Sequence, residues 1–149
     1  MRLSDVQKHI VDAINADEML VAAGCRACIE DKGDAFAEVN AALEGVGICA
    51  LVGVPSWKPE SNAAKNAVGR TSFTVNVIEV PPVNRERPGY MTGLNAAERI
   101  AWALNLTKPD GPGGDVLALD PAGISSTIAE DGTGAIYHVP FVCMHQLKG

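Results

Sequence analysis

The side chains in this sequence best suited to redox or metal chemistry are four cysteines and three histidines. Cys25-x-x-Cys28 has the spacing of a redox pair. Such a pair works at the start of a helix, where the helix dipole lowers one thiol pKa. Here it falls in Cys25–Glu30, a short strand by pattern, where residues three apart point to opposite faces. No second pair with zinc-site spacing follows. Cys25, Cys28, Cys49 and Cys143 are therefore expected as unbridged core thiols. Cys143 and His145 share one face of the last strand. A pocket lined by Cys25, Cys28, Cys143 and His145 is thus the alternative that would make this a small-molecule-binding or enzymatic α+β domain. His9 and His138 have no carboxylate or nucleophile at a telling spacing, so all three histidines read as surface or satisfied core residues.

Glycine-rich runs at Gly111–Gly114 and Gly132-x-Gly134 lack the Lys-Ser/Thr of a phosphate loop and do not join a strand to a helix, so they read as turns. Ser125-Ser126-Thr127 lacks nucleophile-elbow glycines and reads as a solvated strand edge. Residue chemistry therefore points to no enzyme, cofactor or metal. More polar chemistry gathers around Pro81-Pro82, where Glu79, Asn84, Arg85, Glu86 and Arg87 follow one strand. Asn84 can hold a turn through its own backbone. Arg85 and Arg87 can make forked bonds to carboxylates. On residue chemistry alone this is a solvated loop with rim charges. Trp57 reads equally as an interface anchor or as a lid over a core edge.

The chain has 149 residues, enough for one domain with one core, expected over 1–149. With 47% hydrophobic and only 5% aromatic residues, that core must be aliphatic. A net charge of −6 argues against a broad phosphate-binding surface and so against sequence-specific nucleic-acid binding. No apolar run approaches bilayer length, and Met1–Asp5 turns polar at once, so synthesis in the cytoplasm and no membrane role are expected.

The elements that must position these residues follow from periodicity. Ser4 and Gln7 form a capping box ahead of a helix with Val6, Ile10 and Ile14 on one face, ending near Asp17. A second turn runs to Gly24. Asp34 caps a short helix over Ala35–Leu43. Gly45–Val54 is a buried strand, and Pro55–Gly69 a long exposed loop. Phe73, Val75 and Val77 alternate in a strand that stops at the double proline. Asn95 and Glu98 form a second capping box, with Ala97, Ile100, Ala101 and Leu104 as the apolar stripe. Val116–Leu119 is a short strand. Gly123–Ala129 and Ala135–Leu147 make a hairpin, in which Pro140 requires an edge or a bulge.

The run Val75-x-Val77-x-Glu79-x-Pro81-x-Val83-Asn84-Arg85, then Ala96-Ala97-Glu98-Arg99-Ile100 and Leu104, resembles bacteriophage and prophage tail proteins of the tail-terminator or tail-completion type. The resemblance implies an α+β fold: a mostly antiparallel sheet flanked by two or three helices, with a C-terminal β-hairpin. It implies a virion structural protein in the tail, a homo-oligomeric ring, commonly a hexamer. Such a ring caps the tail tube, and its partners are the tube protein and a head-completion or connector protein. By the same analogy Glu79, Asn84, Arg85 and Arg87 lie at a ring or docking contact. The long Pro55–Gly69 loop and the Gly/Pro-rich Lys108–Leu119 segment depart from that pattern.

Overall fold

The computed structural model describes residues 2–31, 33–59, 68–112 and 114–146, with the backbone only for Val68, His145 and Gln146. In chain order the elements are α1 (Leu3–Ala16), α2 (Glu18–Ala22), β1 (Ala27–Ile29), α3 (Ala35–Gly45), β2 (Ile48–Val52), β3 (Ser56–Pro59), β4 (Val68–Glu79), α4 (Pro81–Asn84), α5 (Gly93–Leu104), β5 (Ala118–Leu119), β6 (Ser125–Ile128) and β7 (Ala135–Gln146). The fold is α+β, with a sheet that is antiparallel except where β1 joins β2.

β4 and β7 form the spine, paired from Val68 opposite Gln146 to Glu79 opposite Ala135. Their alternation is the expected period of two. Phe73, Val75, Val77 and Glu79 are buried with Tyr137, Val139 and Phe141. Thr74, Asn76, Ile78, Ile136 and His138 lie half-buried on the other face. β2 and β3 run along the outer edge of β4. Val52 lies opposite Val75 and Ser56 opposite Ser72, so Gly53–Pro55 is a bulge between them. The Gly53 N–H still bonds Thr74 O at 2.9 Å.

β6 and β5 share the outer edge of β7 in the same way, paired with 135–138 and 141–142. Pro140 falls in the gap between them. Its carbonyl accepts from Asp120 N–H, so its ring nitrogen also faces that gap and β7 loses no bond to β4. The expectation of a local edge at Pro140 holds within a central strand.

α1 and α5 cover the buried face. Val6, Ile10 and Ile14 of α1 and Ala96, Ala97, Ile100 and Leu104 of α5 are buried against the strands. Each fully buried Ile or Leu stabilises the domain by roughly 1.5–3 kcal/mol before entropy is counted. α3 packs along β1 and β2.

Four local expectations are corrected. Ser4 lies inside α1, which starts earlier because the Asp5 carboxylate accepts from Arg2 N–H at 2.7 Å. Gln7 is buried and donates to Gly53 O instead of capping. α5 is capped by Thr92, whose hydroxyl accepts from Asn95 N–H, not by Asn95 with Glu98. Part of the expected Pro55–Gly69 loop, Ser56–Pro59, is strand β3, masked in the sequence by prolines at both ends. Residues 60–67 lie outside the described residues.

Candidate interaction site

β4 ends by turning Glu79 toward the helices, and Pro81 at the first position of α4 preorganises the next turn. The Glu79 side chain is fully buried. Its Oε2 accepts from Asn84 Nδ2 at 2.6 Å and Arg85 Nε at 3.2 Å. Its Oε1 accepts from Arg85 Nη2 at 3.2 Å and from Gly93 N–H at 3.0 Å. Burial alone would raise this carboxyl group. Hydrogen bonds from Arg85, Asn84 and Gly93, with the Arg85 charge, outweigh it and hold the carboxyl below its ordinary value. Gly93 is required here, because a side chain would collide with the Tyr137 ring.

Asn84 does not hold its own turn. It is buried and donates to Met91 O at 2.8 Å as well as to Glu79. Its Oδ1 accepts from Arg87 Nη2 at 2.7 Å. Arg87 also donates to Ala23 O and Val46 O, each at 2.8 Å. The cluster thus ties β4, α4, the residues before α5, and the end of α2 into one unit. The expected turn is the short helix α4.

The tied segments are two walls of a surface groove of about 790 Å³. Ala22 and Ala23 line one side, Gly89–Met91 another, and α5 contributes Arg99 and Trp102. Trp102 is 72% exposed and Met19 52% exposed, with Tyr90 also exposed. Arg99 lies over the Trp102 ring, 4.5 Å from its centroid. Arg99 is in turn fixed by Asp17, with Nη2 at 2.8 Å and Nε at 3.0 Å from Oδ2. Asp17 caps α2 by accepting from Met19 and Leu20 N–H at 3.1 Å. Burial would raise the Asp17 carboxyl, but the Arg99 bond and charge and these two N–H groups hold it down. The exposed indole therefore rests on a guanidinium that is itself held in place. Tryptophan, tyrosine, methionine and arginine are the residues enriched in binding surfaces.

Of the residues expected at a contact, Glu79 and Asn84 have no exposed surface to offer a partner and instead position the groove walls. Arg85 is 46% exposed and is the surface member. Trp57 sits half-buried on β3, its indole packed over Gly69 of β4, well apart from the groove. Trp102 is not among the residues expected at a contact. Its signal was there: it lies off the Ala97–Ile100–Leu104 stripe and eight residues after Leu94, which is also exposed.

The described thiols do not all converge: Cys25 and Cys28 each neighbour Cys49, and Cys143 stands apart from them. Cys28 is on β1, while Cys143 lies opposite Thr71 near the other end of β4. Cys25 and Cys49 are buried, and burial, with a neighbouring thiol second, pushes each thiol up to about 12. Burial, with Asp115 second, also raises Cys143. These are protonated, poor nucleophiles. His145's side chain lies outside the described residues. His9 meets the Thr107 hydroxyl at 3.1 Å, and His138 bridges Asn76 and Thr127 at 2.7 and 3.2 Å. Among the described residues no His/Cys/Asp/Glu group is arranged to hold a metal, and no helix is long and apolar enough to cross a membrane.

No family model and no curated protein matches the chain. Among solved structures, a chain from the virion of a native gene transfer agent (GTA) particle is similar. It superposes with a TM-score of 0.64 at 16% sequence identity, covering 95% of each chain. At that identity the likeness is one of fold, and it extends over almost the whole of both chains.

Proposed function

We propose that this chain is a non-enzymatic virion structural protein of a phage-like particle. More narrowly, it assembles as a ring, commonly six copies, that caps the tail tube and helps join tail to head. The observation that carries the reading is the whole-chain likeness of fold to a virion component. The motif resemblance at Val75–Leu104 supports the tail-terminator role within it. The partners are other copies of this chain, the tail-tube protein and a head-completion or connector protein. The site of action is the virion tail.

In this reading the Arg99–Trp102 groove receives a neighbouring copy, Arg85 lies on its flank, and Trp57 anchors a separate contact. The test is co-assembly with the cognate tube protein, followed by negative-stain microscopy and sedimentation. Rings at tube ends and tubes of limited length are expected. Monomers that leave tube length unchanged would overturn the tail-capping role. Arg85→Ala should reduce ring formation more than it lowers the melting temperature; equal losses would make Arg85 purely structural.

A further inference from the structure

The sheet closes its outer edges unevenly. On β1 the outward N–H and C=O of Ala27 are both taken by the Asn15 side chain, at 2.8 and 3.3 Å. On β5 the outward Leu119 N–H is taken by Asn105 Oδ1 at 3.0 Å, and the adjoining Leu117 bonds Leu106 and Thr107. β3 carries Lys58 and ends in Pro59, both of which discourage pairing. β6 has none of these devices. It reads Ser-Ser-Thr-Ile, every residue is exposed, and among the described residues no strand lies beyond it.

The hydrogen-bond parity of β6 is fixed by its turn. Ala129 N–H bonds Gly134 O at 2.9 Å, so Ser125 and Thr127 exchange bonds with β7. Ser126 and Ile128 therefore direct their N–H and C=O groups outward. Thr127 is held from below by its hydroxyl contact to His138, which Asn76 orients. The strand is formed before any partner arrives.

We propose that β6 pairs antiparallel with β6 of a second copy across a two-fold axis at Thr127, joining the two sheets. Outward groups of Ser126 and Ile128 then meet those of Ile128 and Ser126 in the other copy, giving four backbone hydrogen bonds. Thr127 faces its counterpart as a non-hydrogen-bonded pair, which favours Thr–Thr contact. The charges also fit. Glu130 and Asp131 lie in the turn beyond one end of β6, so the two-fold sets the acidic turns of the two copies at opposite ends of the pair and no like charges oppose. A head-to-tail edge contact lacks this fit, because side chains occupy outward groups of β1 and β5 and Lys58 and Pro59 blunt β3. The contact is independent of the tail-capping reading, since ring contacts repeat one patch against another and this one is two-fold.

The measurement is the mass of the free wild-type chain and its variants by light scattering and sedimentation at tens of micromolar. Wild type should have an even number of chains, and Ser126→Pro should halve its mass. That proline removes only an outward N–H, so circular dichroism and melting temperature should stay as in wild type. Thr127→Cys should cross-link two copies on mild oxidation, because the paired Cα atoms would lie ~4.5 Å apart, within disulfide reach. Ser125→Cys should not. A wild-type monomer, a mass unchanged by Ser126→Pro, or no cross-link at Thr127→Cys would each overturn the edge pairing. A ring that persists in Ser126→Pro would do so while leaving the tail reading intact.

Discussion

Glu79 with Arg85 and Asp17 with Arg99 are the same chemical pair, a carboxylate and a guanidinium, placed beside one groove. The first faces inward. Its carboxylate has no exposed surface, and it bonds Asn84 and a backbone N–H as well as Arg85. The second faces outward. Its carboxylate caps α2, and its guanidinium lies under an exposed indole. One pair sets where the groove walls stand, and the other sets what they present. A buried, fully bonded carboxylate acts through the backbone it fixes, whereas an exposed aromatic acts on whatever touches it.

The largest effect should come from the helix face that supports both pairs. Ile100 has no exposed surface on α5. Ile100→Asp places an unpaired charge there, at an expected cost above about 4 kcal/mol, and should unfold the domain. An unchanged melting temperature would remove α5 as the shared support.

Next is Glu79→Ala. It leaves one Asn84 side-chain N–H and the Gly93 N–H without their acceptor, while the half-exposed Arg85 can turn to water. A loss of about 2–4 kcal/mol in urea unfolding is expected, with Glu79→Gln falling between mutant and wild type. The same carboxylates set the acid limit. Glu79 and Asp17 are held below their ordinary values in the folded chain. Their contribution is fully present above the ordinary carboxylate range and is lost as the pH falls through the depressed folded values. Wild type should therefore lose stability with acid more steeply than Glu79→Gln. Parallel curves would mean that Glu79 is not held down.

Much of this wiring was hidden in the sequence, and the reason is range. The Phe73–Val77 alternation and the Ala97–Leu104 stripe are periodic over neighbouring residues, so β4 and α5 were legible. Glu79, Asn84 and Arg85 are close enough in sequence to be recognised as a cluster. What they hold is not local: Arg87 reaches Ala23, and Arg99 reaches Asp17 across 82 residues. Burial leaves Glu79 and Asn84 no exposed surface of their own, and what they visibly do is hold the groove walls. β3 is invisible in the sequence for a related reason: its pairing with β4 follows from a bulge at Gly53, which a four-residue run preceded by Pro55 and ending in Pro59 cannot announce.

Asp17→Ala tests the outward pair at its base. It removes the α2 cap and releases Arg99, at an expected cost of about 1–2 kcal/mol. If Arg99 holds the indole in place, this variant should also raise the mobility of Trp102, seen as lower fluorescence anisotropy of the tryptophans. No anisotropy change would separate the cap from the groove.

The smallest effect on stability should come from Trp102→Ala, and it divides the two regions most cleanly. Trp102 is 72% exposed, so truncating it removes little buried area and should shift stability by no more than about 0.5 kcal/mol. If the groove is the ring contact, the same change removes a large aromatic anchor. Truncating such an anchor typically weakens association by about 2 kcal/mol or more, or thirtyfold in Kd. Melting temperature and assembly should therefore part company in Trp102→Ala, and fall together in Glu79→Ala. If Trp102→Ala assembles like wild type, the groove is not the contact and the inward cluster only supports the fold. If it melts as low as Glu79→Ala, the indole packs more than it presents, and the distinction between the two pairs fails.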